Sequence, residues 1–269
     1  MITIIKYSLL RSLRDVKEYP IVFVPAIIYI FLSVLGIMAL FVASGVLPLL
    51  KDITNQPEEV IQQPFEKFLG DNLAKFLSSL IIFGIGAFVV GSSLTAMKFH
   101  VVALIMKQHK PTFSMLLAGW RMTWRIIIAR VLQLLYYLVS LVAGIVVFIL
   151  FYSIHPKIAF FLSAGVFLSG IIVTFLMFFF LYPYMFLKNL RPYESILTSA
   201  RFFLKNKKFA ISVFLVFLLV IAAIDGAAAI LDLLTLKKIS IFFSLLSYFV
   251  TTSYLPLFLF RVFSQFKQP

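Results

Sequence analysis

The sequence predicts an all-α, polytopic membrane protein, with six transmembrane helices in three hairpin-like units and with cytoplasmic amphipathic interfacial helices. Composition indicates the class, because 62% of the 269 residues are hydrophobic and only 13% are charged, which leaves too few polar residues to cover a soluble domain. Six long apolar runs give the number of spans, since a hydrocarbon core of roughly 30 Å needs about 20 apolar residues per helix. Basic residues concentrate on one side of these runs, which indicates the orientation.

The polar segments between the apolar runs mark where the chain leaves the membrane. The first run is far longer than the apolar part of a signal peptide, so we expect a retained first helix. The polar segment 51–75 is too short for an independent domain. The turns near 155–157 and 236–238 are short, so we expect spans three and four, and spans five and six, to be antiparallel hairpins. The predicted spans are residues 21–50, 76–99, 126–152, 158–187, 209–234 and 239–260.

The distribution of charge predicts that both termini lie in the cytoplasm. This orientation places about three quarters of the 24 Lys and Arg residues inside, as the positive-inside rule requires. We therefore expect a multi-pass membrane protein with both termini on the cytoplasmic side. The formal net charge of +14 indicates attraction to anionic membrane lipids, because nucleic acid is the expected partner only for a soluble protein of this charge.

Three basic stretches that precede the odd-numbered spans resemble one another. We name them the first elbow (8–23), the middle elbow (114–129) and the last elbow (195–210). Each begins with a serine, has a leucine two residues later and a small residue four residues later, and then continues through basic or aromatic residues into a span. The pattern predicts one domain, 1–269, built from three parallel repeat units of about 1–99, 100–187 and 188–269. Chance similarity of juxtamembrane sequences is the alternative.

Apolar residues recur at helical spacing in and around each elbow. In the first elbow the predicted apolar stripe comprises Ile5, Leu9, Leu13 and Val16, and basic residues occupy much of the remaining surface. This pattern is typical of an amphipathic helix that lies in the membrane interface.

The last elbow carries a resemblance to a known group of proteins. The segment RPYESILTSARFFLKNKKFAISVFLVFLLV (191–220) resembles the alanine–x–x–serine–(Trp or Phe)…Lys/Arg-Asn signature of a loose group of prokaryotic six-span proteins. This group includes the membrane domain attached to some glycerophosphodiester phosphodiesterases. SLRDVKEYPIVFVPAI and HKPTFSMLLAGWRMTWRIIIARVLQLL look like the corresponding first and middle elbows. The sequence departs from the pattern at Thr198 and Phe202.

What the resemblance implies is the six-span fold and its topology, in the plasma membrane of a prokaryote. The 269 residues contain no soluble phosphodiesterase segment, so the resemblance does not extend to that activity.

The first functional hypothesis is a non-enzymatic membrane module that binds anionic lipid, or a membrane or cytoplasmic protein partner, through its basic elbows. Basic side chains beside an apolar helical face suit a headgroup layer that is negatively charged. The candidate binding residues are Lys6, Arg11, Arg14, Lys17, Arg121, Arg125, Arg201, Lys205, Lys207 and Lys208.

The second hypothesis is a permease for a small solute or an ion. Asp225 and Asp232 lie seven residues apart on one face of the fifth span, and ionisable groups within a membrane often mark a transport pathway. The alternative is that both aspartates pair with lysines near the outer headgroups. Arg130 is expected to extend to the inner surface, and Gln133 to form an interhelical hydrogen bond.

The third hypothesis is an intramembrane enzyme of lipid metabolism. It is disfavoured because no acid and base are paired at one depth, so we expect no catalytic residues and no enzyme activity. The sequence has no Cys and only 3 His and shows no cofactor motif, so we expect neither a metal site nor a cofactor.

Overall fold

The computed structural model describes residues 2–46, 62–233 and 237–266, with the side chains of all of these except 62–71, 232, 237 and 238. Within these ranges the chain is helical and contains no strand. Six helical segments are long and apolar enough to cross a membrane. The predicted all-α, six-span architecture is therefore confirmed, as expected where lipid leaves the backbone no hydrogen-bonding partner outside its own helix.

The described ranges form eleven α-helices. They are α1 (Ile2–Glu18), α2 (Val24–Ala43), α3 (Gln62–Met106), α4 (Phe113–Ala118), α5 (Thr123–Tyr152), α6 (Pro156–Phe178), α7 (Leu181–Leu187), α8 (Pro192–Lys205), α9 (Lys207–Leu233), α10 (Lys237–Phe249) and α11 (Leu255–Phe266). Short 3-10 segments precede α2 (Pro20–Phe23) and α5 (Gly119–Met122), and a π-helical turn (Val250–Tyr254) joins α10 to α11.

The spans match the predicted runs, with differences at their ends. The structure places them at Pro20–Ala43, Asn72–Met106, Phe113–Tyr152, Pro156–Leu187, Lys207–Leu231 and Ile239–Phe266. The predicted end of the first span, near residue 50, lies outside the described residues.

The second span continues past its predicted end at residue 99. Polar residues lower the hydropathy there, but nothing in the sequence stops the helix until Gln108, whose φ is 62°. This left-handed conformation lets the His109 N–H donate to the Leu104 carbonyl (3.0 Å), which closes the helix end in the manner of a Schellman motif.

Each odd-numbered span packs against the span that follows it. The three pairs are α2 with α3, α5 with α6, and α9 with α10. Small residues allow a close approach in the second pair: a Cβ on Gly170 would lie 2.7 Å from the Ser140 Oγ, and one on Gly144 would lie 3.2 Å from the Phe167 Cβ. Close backbone approach is a main source of helix association in lipid, where the hydrophobic effect is absent.

The elbow helices connect the three pairs in a cyclic order. The middle elbow, with α4 and its 3-10 segment, packs on α3; α8 of the last elbow packs on α6 and α7; and α1 of the first elbow packs on α11. Each elbow thus contacts the second span of the preceding pair, and the first elbow contacts that of the last. We name the end of the bundle that carries these helices the elbow end. The same contact, of an elbow with the second span of another pair, thus occurs three times, as the repeat hypothesis expects.

The buried core lies towards the elbow end, where the even-numbered spans meet. The Phe99 ring stacks on Tyr182, with centroids 4.4 Å apart, and on Phe260, at 5.5 Å. Towards the opposite end, large apolar side chains such as Ile82 and Phe161 are exposed. In a membrane this exposed surface is the part that faces lipid.

A serine of the last elbow satisfies the backbone where the fourth span is interrupted between α6 and α7. Ser199 Oγ donates to the Met177 carbonyl (2.7 Å) and accepts from the Phe180 N–H (3.2 Å). These backbone groups lose their helical partners at the interruption, and inside a bundle only another protein group can replace them. The elbow therefore stabilises the bend of its neighbouring unit.

The closest elbow contact predicts a selective effect of adding a methyl group. A Cβ at Gly119 would lie 2.6 Å from the Met97 Cα, whereas one at Gly165 meets no atom within 4 Å. Because backbone atoms cannot move aside cheaply, we expect Gly119→Ala to lower the free energy of unfolding by about 1–3 kcal/mol. Gly165→Ala is the matched control and should cause no loss. Denaturation in mixed detergent micelles measures both, and equal stability of the two variants would contradict the docking of the middle elbow on α3.

Candidate functional site

The basic residues predicted in the first elbow and just before it all lie on the exposed surface of α1. Lys6, Arg11, Arg14 and Lys17 are exposed. Arg14 Nε donates to the Glu18 carboxylate (2.7 Å), and this hydrogen bond raises the pKa of Arg14 above its ordinary value. Arg14 therefore stays cationic, although Glu18 offsets its charge.

The buried face of α1 differs from the predicted apolar stripe. Ser8, Ser12 and Asp15 are buried, whereas Leu13 is 53% exposed. Small polar residues let α1 lie close to α11, where Ser8 Oγ donates to Gln265 Oε1 (2.9 Å) and the Asp15 carboxylate forms an ion pair with Arg261. A tertiary contact, rather than hydropathy, decides which face of this helix packs inside the protein. The placement of the apolar stripe in the membrane interface stays a prediction.

The middle elbow presents two tryptophans and one free basic side chain. Trp120 and Trp124 are 59% and 68% exposed, and Arg121 is exposed beside them. Arg125 is half-buried and donates to Asn189 Oδ1 (2.7 Å), so it joins this elbow to the loop before α8. Arg125 is thus a structural contact as well as a candidate lipid-binding residue.

The basic residues of the last elbow cluster at the junction of α8 and α9. Arg201, Lys205, Lys207 and Lys208 are all exposed. The last three line a recess of about 490 Å³ around Asn206. Arg201 and Lys205 line a second recess of about 390 Å³, so Lys205 belongs to both.

Local hydrogen bonds close both ends of α8 and the start of α9, where the Ala210 N–H donates to the Asn206 carbonyl (3.0 Å). At the start of α8 the Arg191 N–H donates to the Glu194 carboxylate (3.1 Å), and Pro192 occupies the first turn, where its missing N–H costs nothing. At its end the Asn206 Nδ2 donates to the Phe202 carbonyl (3.1 Å). The four basic side chains therefore extend from a fixed backbone.

The elbow surface is electrostatically unbalanced. Among the residues that the structure describes, the ion pairs are Arg14–Glu18 and Arg261–Asp15. Of the ten predicted basic residues, only Arg14 has a carboxylate partner in those ranges. Cationic groups without an anionic neighbour can bind the phosphates of anionic lipid without first breaking an ion pair.

A second cationic site, not predicted as such, lies between the spans. Lys98 and Arg130 both line a cavity of about 460 Å³, together with residues of α2, α3 and α10. Arg130 does not simply extend to the inner surface as expected: its Nη1 donates to Ser92 Oγ (3.0 Å) and its Nη2 to Thr95 Oγ1 (2.7 Å). The signal in the sequence is the three-residue spacing of Ser92, Thr95 and Lys98, which places them on one helical face.

The structure gives the predicted aspartate pair no common site. Asp225 is exposed and accepts a hydrogen bond from Ser247 of the neighbouring α10. The side chain of Asp232 lies outside the described residues. Asp225 does not line the cavity that contains Lys98 and Arg130, so an ion site at these aspartates stays a prediction.

Comparison with protein-family models, with curated proteins and with solved structures finds no significant match. The resemblance to the membrane domain of some glycerophosphodiester phosphodiesterases therefore stays a prediction from the sequence.

The two exposed tryptophans predict where the middle elbow lies in a bilayer. They are the 2 Trp residues of the chain, and indole rings favour the headgroup level. We expect their fluorescence in proteoliposomes to be quenched more by lipids brominated near the headgroup than by lipids brominated near the chain end. Aqueous iodide should quench weakly. Strong quenching by iodide would place the elbow in water, and stronger quenching by the deep bromine would place it inside the hydrocarbon core; either result contradicts an interfacial elbow.

Proposed function

We propose that this protein is a non-enzymatic integral membrane module that binds anionic lipid through the basic residues of its elbows. The observation that carries the proposal is the cluster of Arg201, Lys205, Lys207 and Lys208, exposed around two recesses at the α8–α9 junction. The recesses offer space for headgroups, and the side chains that line them offer positive charge.

The orientation of the bundle follows from the same surface. The cytoplasmic leaflet carries the negative surface potential of a cell membrane, and it attracts basic juxtamembrane segments. With the elbow end in the cytoplasm, the exposed basic residues of all three elbows face that leaflet. This placement puts both termini inside and makes the protein a multi-pass component of a prokaryotic plasma membrane.

Lipid is favoured over a protein partner because of where the basic residues lie. They flank apolar side chains that are also exposed, such as Leu204 and Trp124, at 55% and 68%. An interface that offers charge and apolar surface side by side matches the headgroup and upper acyl region of a bilayer. A soluble acidic partner would leave these apolar side chains in contact with lipid or water.

A charge reversal at the last elbow tests the proposal. Wild-type protein in mixed liposomes should prefer spin-labelled phosphatidylglycerol over phosphatidylcholine, and the preference should shrink at high salt because salt screens surface charge. Lys207→Glu with Lys208→Glu should lower the preference about thirtyfold, since each of the two basic residues near the surface contributes about 1 kcal/mol. Electron paramagnetic resonance of the motionally restricted lipid measures the preference.

The matched control makes the same two changes at the opposite end. Lys75 and Lys157 are also exposed, so Lys75→Glu with Lys157→Glu alters the net charge equally without touching an elbow. The control should retain most of the preference. If both double variants lose it equally, or if neither loses it, the elbow surface is not the lipid-binding site.

A further inference from the structure

Two cations line one cavity between the spans, and no carboxylate whose side chain is described balances them. In the described part of the chain, Lys98 has neither a hydrogen bond nor an ion pair, and only its own neighbour Phe99 offers a ring face, at 5.0 Å from the Lys98 Nζ. Arg130 is hydrogen-bonded only to hydroxyl groups. Like charges that share a poorly solvated site repel each other, and the repulsion is relieved when an anion binds between them.

The carboxylates whose side chains are described are all engaged elsewhere. Asp15 pairs with Arg261, Glu18 with Arg14, Glu194 accepts from the start of α8, and Asp225 accepts from Ser247. None of them lines the cavity. Among the carboxylates that the structure describes, none is therefore a counter-ion for the two cations, and the cavity offers an anionic ligand an unbalanced site.

The guanidinium of Arg130 is fixed before any ligand arrives. The hydroxyls that accept from it are themselves held, because Ser92 Oγ donates to the Phe88 carbonyl (2.7 Å) and Thr95 Oγ1 to the Gly91 carbonyl (2.6 Å). Each hydroxyl thus donates its hydrogen to a carbonyl of the α3 backbone, and its oxygen accepts a hydrogen bond from Arg130. Since a guanidinium has five N–H donors, Arg130 retains donors for an anion.

Additional hydroxyl groups line the walls of the cavity. Tyr29 of α2, Tyr248 of α10 and Thr252 of the π-helical turn surround the space beside Lys98 and Arg130. Thr252 Oγ1 donates to the Tyr248 carbonyl (2.7 Å), so the hydroxyl donors are those of the two tyrosines. Hydroxyl donors next to Lys and Arg form a set that suits the several oxygens of a phosphate group.

An apolar groove continues from this cavity. A space of about 600 Å³ lies between α2 and α3 and is lined by Leu32, Gly36, Phe83, Gly86 and other apolar residues. It shares Tyr29 and Ala87 with the cationic cavity. The groove runs along α2 away from the elbow end, so it extends towards the middle of the bilayer.

The depth of the two cations fits a lipid headgroup. Lys98 lies two helical turns before the end of α3 at Met106, about 12 Å at 1.5 Å per residue. The second span has 35 residues, more than the roughly 20 needed to cross the hydrocarbon core. Its last turns can therefore stand outside the core, which leaves Lys98 near the boundary between headgroups and acyl chains.

We propose that this cavity and groove together bind one anionic phospholipid, whose phosphate lies between Lys98 and Arg130 and whose acyl chain occupies the groove between α2 and α3. The site is separate from the elbow surface and does not depend on it. A polar cavity with two unbalanced cations selects the phosphate, and the apolar groove distinguishes a lipid from a free anion.

Native mass spectrometry of the detergent-solubilised protein tests the site, with phosphatidylglycerol, phosphatidylcholine of the same acyl chains, and inorganic phosphate as probes. Wild-type protein should retain one molecule of phosphatidylglycerol and bind phosphatidylcholine more weakly. Lys98→Met should weaken phosphatidylglycerol binding about tenfold, because a charge-assisted contact is lost. Without lipid, this variant should melt at or above the wild-type temperature, since it removes an unbalanced charge.

A second variant tests the groove without changing any charge. Gly86 lines the groove, and a Cβ at this position meets no atom within 4 Å, so Gly86→Leu should fold while its side chain fills the space for the acyl chain. Gly165→Leu on α6 is the matched control, because its Cβ also meets no atom within 4 Å. Gly86→Leu should weaken phosphatidylglycerol binding, and Gly165→Leu should not.

Three results would overturn the proposal. Equal binding of anionic phosphatidylglycerol and zwitterionic phosphatidylcholine, or wild-type binding by Lys98→Met, would show that the two cations do not select an anionic phospholipid. If inorganic phosphate binds as well as phosphatidylglycerol, and Gly86→Leu binds phosphatidylglycerol like the wild type, the site is one for a free anion and not for a lipid. The elbow variant Lys207→Glu with Lys208→Glu should keep the single bound lipid, so failure of this site and failure of the elbow surface give different results.

Discussion

The buried ion pair between Asp15 and Arg261 joins the first described helix to the last, and the cyclic arrangement of the bundle depends on this contact. Asp15 and Arg261 are only 5% and 14% exposed, so each charge would be left without a partner if α1 moved away. Two neutral hydrogen bonds support the same contact, from Ser8 to Gln265 and from the Tyr254 hydroxyl to the Leu9 carbonyl (3.1 Å). Leaving one member of a buried ion pair without its partner costs several kcal/mol of folding free energy, so the pair favours the arrangement in which α1 packs on α11.

Closure of the bundle at the elbow end explains both candidate binding surfaces. Each elbow helix turns small residues towards a neighbouring unit, at Ser12, Gly119 and Ser199, and its basic residues consequently remain on the outside. The same docking holds α5 beside α3, where Arg130 meets Ser92 and Thr95. The surface charges of the elbows and the half-buried charges of the cavity thus have one structural origin.

Much of the fold was predictable from the sequence, because span length and hydropathy are local properties. Both the six spans and the short turn before Pro156 were predicted correctly. Which face of α1 packs against α11 was not predicted at all, since the buried Ser8, Ser12 and Asp15 are selected by that contact and not by hydropathy. The predicted elbow residues are at the surface, with Arg125 also engaged by Asn189. The Lys98–Arg130 cavity was missed because its residues come from helices whose juxtaposition no sequence period encodes.

A double-mutant cycle at Asp15 and Arg261 tests the closure of the bundle most directly. Asp15→Leu and Arg261→Met should each lower the free energy of unfolding by about 3–5 kcal/mol, because each leaves one buried charge unpaired, and the double variant should recover most of that loss. The exposed pair Arg14–Glu18 is the control, and its removal should have no measurable effect. Denaturation in mixed detergent micelles gives all the values. Additive losses without recovery in the double variant, or single variants as stable as the wild type, would contradict a bundle closed between α1 and α11.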